Sequence, residues 1–295
     1  MGHINFHLAT AIIAFCANIL AAPAPDPYAP LGVAPIAKAA TNAAQGPVPI
    51  MVTFTPEELQ HFGSEDAQPS NTTIESLETR GIIGPDNRVL WDRQDYPYSA
   101  MGRIEGSSGY ACSGSLVGRR LVATAKHCVP PAGASVRFQP KYFNGERGGG
   151  SYATTIITMA QGNGACFQKE DWAIFVLADP MGDQDGYLGA KVINCDAQKN
   201  RAMFFHLGYP GDHGTQTPYR QEAITVSRCA DCEPGGPLET DADAVGGQSG
   251  GPLWLLEDGS RYLYGVLSGE SSIGAGFASG GNLVQAIGKA RNDFP

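Results

Sequence analysis

An all-β fold is the class this sequence predicts, and three observations carry that expectation. Gly supplies 38 and Pro 21 of the 295 residues, a density of turn formers that suits many short strands better than a helical bundle. Charged residues make up only 17% of the chain. Short alternating apolar runs are common, whereas convincing helical spacing is confined to the tail, roughly Asn282 to Arg291, where Leu283, Val284 and Ile287 share a side. A chain of this length has room for a core of ordinary density split over two barrels.

Taken in order, Leu8 to Leu20 is mostly apolar and is followed by small Ala21 and Ala22. The run is too short to span a bilayer, so residues 1–22 are expected to be a cleaved secretory signal rather than an anchor. Residues 23–50, rich in Ala and Pro, read as an extended or poorly ordered stretch. Thr55-Pro56-Glu57-Glu58 is a helix start, with a capping Thr, Pro at the first helical position and Glu three residues after the cap. Gly63 is expected to end that helix. Asn71-Thr72-Thr73 is a glycosylation acceptor triplet, and Thr79-Arg80 marks a processing point, so 23–80 reads as a propeptide. Beyond Gly81 the strand-like runs include Cys112–Val117, Leu121–Ala125, Thr154–Met159, Trp172–Ala178, Ala202–Leu207, Ala223–Val226, Pro252–Leu256 and Tyr262–Leu267. Gly, Pro, Asn and Asp punctuate the gaps. No internal repeat is visible in the sequence.

The net charge is -9. Residues 23–80 hold seven Asp or Glu against Lys38 and Arg80. No Lys or Arg cluster offers phosphates a footprint, so a nucleic-acid partner is not expected, and no later segment is apolar enough for a membrane. Of the seven cysteines, Cys16 would leave with the signal. The even remainder suits three disulfides in an extracellular, oxidising setting.

Three segments carry chemistry: Ala123-Thr124-Ala125-Lys126-His127-Cys128, Asp171 with the apolar run Trp172 to Leu177, and Gly246-Gly247-Gln248-Ser249-Gly250-Gly251-Pro252. Acyl transfer by serine needs a hydroxyl, an imidazole to take its proton, a carboxylate to orient the imidazole, and backbone N–H donors for the oxyanion. Gly247 lets the backbone approach that oxyanion without a side chain in the way. Ser249 lies in Gly-x-Ser-x-Gly, a string shared with the nucleophile elbow of α/β-hydrolases, where the His follows the Ser. Here the histidines are His3, His7, His61, His127, His206 and His213, all before Ser249. The esterase reading therefore lacks its base. His206 and His213 are read as ordinary core or surface residues, and Trp254 and Tyr264 as core aromatics.

In these motifs the chain resembles the chymotrypsin/trypsin-like serine peptidases, and more closely their glutamyl-endopeptidase (V8-like) branch. Thr-Ala-Lys-His-Cys is similar to that family's Thr-Ala-Ala-His-Cys, and Gly-Gln-Ser-Gly-Gly-Pro to its Gly-Asp-Ser-Gly-Gly-Pro. Ile82 to Arg88, Tyr96 to Ala100 and Gly208 to Asp212 resemble further segments of the branch. The resemblance covers about residues 81–295. It implies two antiparallel six-stranded β-barrels, about 81–185 and 195–295, with a short C-terminal helix and the site between the barrels. It also implies that His127 acts as base and acid, Asp171 orients it and Ser249 attacks. Gly247 and Ser249 would supply the oxyanion hole, with Ser268 contacting the Asp. A secreted endopeptidase acting on proteins or peptides follows, as a monomer, with no cofactor or metal required; the other partner is its own propeptide, acting as inhibitor or folding aid before cleavage near Arg80. The alternative is a catalytically silent relative serving as a binding or regulatory module, which covalent labelling of Ser249 separates from the enzyme.

By the same resemblance Cys112 pairs with Cys128. Cys166, Cys195, Cys229 and Cys232 allow three pairings, of which Cys166–Cys195 with Cys229–Cys232 is preferred over a zinc half-site at Cys229 and Cys232. Two positions depart from the family pattern. Gln248 replaces the Asp that receives the new N-terminal amine in many trypsin-like zymogens, and an uncharged amide cannot make that ion pair. In the primary pocket, Leu267 and Ala244 stand where the glutamyl branch places donors for a substrate carboxylate. An unpaired buried carboxylate costs on the order of a few kcal/mol, so strict Glu preference is not expected. Asp243 matches the position that gives trypsin its preference for Arg and Lys, and preferences for basic and for neutral side chains both remain open.

Overall fold

The protein is described from a computed structural model, which covers residues 33–35, 46–60, 62, 67–69, 86–160, 167–229, 236–271 and 274–295. Two closed six-stranded antiparallel β-barrels form its body. The first comprises β1 (Met101–Gly106), β2 (Tyr110–Leu116), β3 (Leu121–Ala125), β4 (Val136–Pro140), β5 (Ser151–Met159) and β6 (Trp172–Leu177). The second comprises β7 (Ala202–Gly208), β8 (Tyr219–Cys229), β9 (Leu238–Thr240), β10 (Pro252–Glu257), β11 (Ser260–Ser271) and β12 (Gly274–Ser279). Around the first barrel the order is β1-β2-β3-β6-β5-β4 and back to β1. The second repeats it as β7-β8-β9-β12-β11-β10. The chain thus contains a structural repeat that its residues do not spell out.

Strands β3 and β6 read as unbroken apolar runs because both of their faces are covered. Val122, Ala125, Ala173, Phe175 and Leu177 pack inside the first barrel with Ile104 and Phe138. The alternate residues Leu121, Ala123, Trp172, Ile174 and Val176 join a second cluster with Leu283, Val284 and Ile287 of the C-terminal helix. Period-two alternation is present, but each face meets a core rather than water. The helix runs from Gly281 to Asp293, slightly longer than expected. Arg291 fixes its end by donating to the carbonyls of Val117, Gln68 and Leu188 at 2.6, 2.7 and 3.0 Å. Trp254 and Tyr264 are buried, as read from the sequence.

Four barrel strands, β1, β4, β9 and β12, escaped the sequence reading. In β1 the obstacle is Arg103, which is buried beside Gly102 and Glu105. Its guanidinium donates to Gln139 across the β1–β4 ladder at 3.1 Å and to Glu105 at 3.2 Å, and lies 4.7 Å from the Tyr142 ring centroid. A buried charge satisfied across the sheet carries no apolar signal. In β12 the residues are small because neighbours press close: a Cβ on Gly276 would lie 2.9 Å from the Gln168 side chain.

Upstream of the barrels, Pro56–Leu59 forms the expected short helix. Thr55 accepts from the Glu58 N–H, and the Glu58 carboxylate accepts from the Thr55 N–H at 2.8 Å. Gly63 lies outside the described residues. Ile50–Phe54 pairs in parallel with Thr155–Met159 of β5. Phe54 and Leu59 are buried in the shared core, each worth about 2 kcal/mol by area. Within 23–50, expected to be extended or poorly ordered, Ala34–Pro35 is extended and pairs antiparallel with β2.

The disulfides correct one expectation. Cys112–Cys128 forms as the family resemblance implies. Cys195, however, bonds Cys229, with Cα atoms 6.3 Å apart. This excludes both Cys166–Cys195 and Cys229–Cys232, and it removes Cys229 from any zinc site. The close spacing of Cys229 and Cys232 favoured a local loop, but the end of β8 passes the Cys195–Gln198 turn, which brings distant cysteines within bonding range. Cys166 and Cys232 lie outside the described residues, as do the expected signal, Asn71 and the Thr79-Arg80 processing point.

Candidate active site

His127 follows directly on β3, in the short 3-10 turn Lys126–Cys128, and Asp171 directly precedes β6. Because β3 and β6 are paired with Ala125 opposite Trp172, their ends place imidazole and carboxylate side by side. One Asp171 oxygen accepts the His127 backbone N–H at 3.0 Å, and the other faces Nδ1 at 2.8 Å. A carboxylate only accepts, so Nδ1 carries the proton and Nε2 is left as a base. The Ser268 hydroxyl donates to the same Asp171 oxygen at 2.6 Å. The Cys112–Cys128 bond pins the turn to β2, and Cys128 Sγ lies 3.7 Å from the Ser249 carbonyl oxygen.

Ser249 sits on a loop gripped by β2. The Ser113 N–H donates to the Ser249 carbonyl at 2.8 Å, and the Ser113 hydroxyl donates to the Gly247 carbonyl at 2.9 Å while accepting from the Tyr209 N–H at 2.9 Å. Gly250 has φ +82°, and a Cβ there would come within 2.0 Å of the Thr124 hydroxyl and 2.4 Å of the Ser113 carbonyl. Only Gly fits. Gly247 has φ +97°, and a Cβ on it would meet the Tyr209 carbonyl at 2.5 Å. Neither the Gly247 N–H nor the Ser249 N–H donates to another described residue, leaving two neighbouring donors free for an anion. Ser249 is fully buried, and both its Oγ and His127 Nε2 are without a hydrogen-bond partner among the described residues. The hydroxyl–imidazole link is therefore not closed here, a state common in resting sites.

Gln248 is where sequence reasoning stopped short. Its Oε1 accepts from the Val245 N–H and from Arg88 Nη1, each at 3.0 Å. The Arg88 side chain is only 7% exposed, and it also donates to Asp212 at 2.6 Å and to Asp86 at 3.1 Å. A guanidinium from the segment ahead of the barrels thus ties the Gln248 amide oxygen to two carboxylates. Burial alone would lower the Arg88 pKa, but Asp86 and Asp212 outweigh it and hold it above the ordinary value. Arg88 and Asp212 each lay in a segment already noted in the sequence; what linked them to Gln248 was not visible there.

The expected pocket residues lie near one another in the second barrel. Leu267 is fully buried in its core, with Ala244 packed against the same cluster. Asp243 Oδ2 accepts the Asn87 N–H at 2.8 Å, so this carboxylate is already engaged. Among the described residues no group of three or more His, Cys, Asp or Glu could hold a metal ion.

His206 is a core residue: Nδ1 donates to the Pro252 carbonyl at 3.0 Å, and burial pushes its pKa down to about 4. His213 stacks on Tyr219 at the surface, with ring centroids 4.1 Å apart. For His206 the unfolded chain binds a proton near pH 6.5 and the folded chain only near pH 4. Its contribution is therefore full above pH 6.5 and is lost as pH falls, reaching about 3 kcal/mol near pH 4. Urea midpoints of a Ser249→Ala chain from pH 7.5 to 4.5 are expected to show this fall, and His206→Asn is expected to flatten it. An identical slope in both chains would contradict the assignment.

Comparison with known proteins follows the same lines. A family model described as trypsin matches residues 91–283. The chain is similar to a glutamyl endopeptidase of Bacillus licheniformis, 25% identical over 245 residues that cover 78% of this chain and 75% of that protein. It is 27% identical to exfoliative toxin A of Staphylococcus aureus over 157 residues, covering 46% of this chain and 52% of the toxin. Among solved structures, a Glu endopeptidase in complex with MPD aligns with a TM-score of 0.58 at 19% identity, covering 72% of this chain and 100% of that one. At that identity the likeness is one of fold.

Proposed function

The chain belongs to the trypsin family and is a serine-type endopeptidase with protein substrates, and from that premise we propose that His127, Asp171 and Ser249 are its catalytic triad. Nε2 of His127 takes the Ser249 proton as Oγ attacks the scissile carbonyl, then returns it to the leaving amine. Asp171 holds the imidazole in the required tautomer. The N–H groups of Gly247 and Ser249 receive the oxyanion. The observation that carries this reading is the Asp171 carboxylate, bound at once to the backbone and ring of His127 and to Ser268.

Residues 1–22 are read as a secretory signal, 23–80 as a propeptide and 81–295 as the peptidase, acting as a monomer outside the cell. Two disulfides among the described residues support an oxidising compartment. The preference for Glu stated in the name of the Bacillus relative is not carried over. Leu267 and Ala244 offer a substrate carboxylate no donor. Engagement of Asp243 by Asn87 favours neutral side chains over Arg and Lys beside the scissile bond.

A fluorophosphonate probe is expected to label the processed chain at Ser249 and to leave Ser249→Ala unlabelled. A folded, processed protein that never labels would overturn the assignment. Peptide-library profiling of the same preparation tests the pocket, and cleavage mainly after Glu would contradict the reading of Leu267. Removing the Ser268 hydroxyl by Ser268→Ala loosens Asp171 without touching substrate. The expected loss is about tenfold in kcat with KM unchanged, equivalent to about 1.4 kcal/mol. Steady-state kinetics check it.

A further inference from the structure

The described part of residues 46–69 lies in the expected propeptide, yet it is built into the body of the fold. The strand Ile50–Phe54 runs parallel to β5, pairing residue by residue with Thr155–Met159. The Ala160 N–H extends this ladder by donating to the Phe54 carbonyl at 3.1 Å. On the same edge β4 pairs with β5 only at Ser151 and Tyr152. Among the described residues, nothing else covers the edge from Thr155 to Met159. Without the segment those backbone groups lose their partners and a strand edge lies open.

Side-chain contacts reach both barrels and the C-terminal helix. Phe54 and Leu59 are buried in the cluster that holds Ile157, Met159, Leu283, Val284 and Ile287. Lys289 of the helix lies 5.1 Å from the Phe54 ring centroid and 5.2 Å from that of Phe62. Further on, Ala67 and Ala190 exchange backbone hydrogen bonds at 3.1 and 2.8 Å. Gln68 Oε1 accepts from the Tyr262 hydroxyl of β11 at 2.9 Å, and the Gln68 carbonyl accepts from Arg291 at 2.7 Å. A Cβ on Gly189 would lie 2.5 Å from the Ala67 carbonyl oxygen, so the body leaves room for the segment where it passes.

Cleavage near Arg80 would place all of these residues upstream of the cut. No cysteine lies between residue 23 and Arg80, so no disulfide can tie the upstream piece to the body. We infer that residues 46–69 stay bound after processing as a non-covalent second chain of the mature peptidase. Their permanent binding surface is the β5 edge, the C-terminal helix and the Ala190–Tyr262 region. The contacts are those of a core element: a complete strand ladder and apolar side chains shut away from water. Taking them away opens a sheet edge and strips one wall from a shared core. The inference rests on the reading of 23–80 as a segment cut near Arg80, and it gives that segment a lasting structural part in place of a transient one.

The test uses the full chain carrying Ser249→Ala, which prevents self-digestion, with a recognition sequence for an unrelated site-specific peptidase in place of residues 76–80. After complete cutting at about 1 μM, size-exclusion chromatography and native mass spectrometry are expected to find fragment and body in a one-to-one complex. Its melting temperature is expected to lie within about 3 °C of that of the uncut chain. Leu59→Ala in the same chain is expected to lower the melting temperature by about 5–10 °C. A fragment that elutes alone, whatever the state of the body, refutes the inference, and so does an unchanged melting temperature in Leu59→Ala. The cut parent decides the matter even where Leu59→Ala does not fold. None of these readouts involves catalysis, so refutation leaves the peptidase reading standing. Conversely, a parent chain that never labels with a fluorophosphonate overturns the triad and leaves this association untouched.

Discussion

Asp171→Asn is expected to lower kcat by about 10⁴-fold with little change in KM or in folding. The carboxylate accepts from the His127 N–H, His127 Nδ1–H and the Ser268 hydroxyl, and an amide offers one acceptor oxygen and one donor group. With its NH2 toward the ring, Nδ1 must become the acceptor and the proton moves to Nε2, where it blocks the base. With its oxygen toward the ring, the NH2 opposes the His127 backbone N–H, and the 3.0 Å contact becomes a donor–donor clash. Both arrangements keep side-chain volume and spoil one bond that orients the base. Single-turnover acylation rates with a chromogenic ester, alongside circular dichroism of the same samples, read the effect. A loss below tenfold in a folded variant would show that Asp171 does not set the His127 tautomer.

Arg88→Ala is expected to reduce kcat/KM by about 10²-fold, the cost of displacing reacting groups by roughly an ångström. It removes the donor that holds Gln248 Oε1 and, through it, the backbone flanking Gly247 and Ser249. It also leaves the Asp86 and Asp212 carboxylates without their shared cation. Both are about half exposed, so screening by solvent limits the stability loss to about 1–2 kcal/mol. Arg88→Lys is expected to recover only part of the activity, because three ammonium donors cannot replace the planar guanidinium that makes two contacts each to Asp86 and Asp212 and one to Gln248. A role confined to stability predicts the opposite split, with a lower melting temperature and unchanged kcat.

The Gln248 side chain is anchored by Arg88 and the Val245 N–H, so this loop is held by groups within the chain.

The candidate site residues could be picked out because they lie in local strings in a fixed chain order. Thr-Ala-Lys-His-Cys at the end of β3, Asp171 at the start of β6 and Gly-Gln-Ser-Gly-Gly-Pro each need specific neighbours for backbone reasons. The glycine at 250, pressed against Thr124 and Ser113, is an example. Apolar runs such as Leu121–Ala125 announced their strands because both faces are covered. Strand β1 was hidden because Arg103 is satisfied by Gln139, a residue 36 positions away, and no local pattern records a partner at that distance.

Composition, motif order and apolar spacing by themselves determined the all-β class, the C-terminal helix and the His–Asp–Ser order, while the Cys112–Cys128 bond was implied only by family resemblance. Tertiary structure alone decided that Cys195 bonds Cys229, that Arg88 reaches Gln248, and that Ala34 rests between Gly211 and Gly247. The physical reason is common to all three. Each joins groups whose proximity is set by how strands close into barrels and how outlying segments fold back on them. Sequence encodes that closure collectively, through many weak contacts, and not in the residues that finally touch.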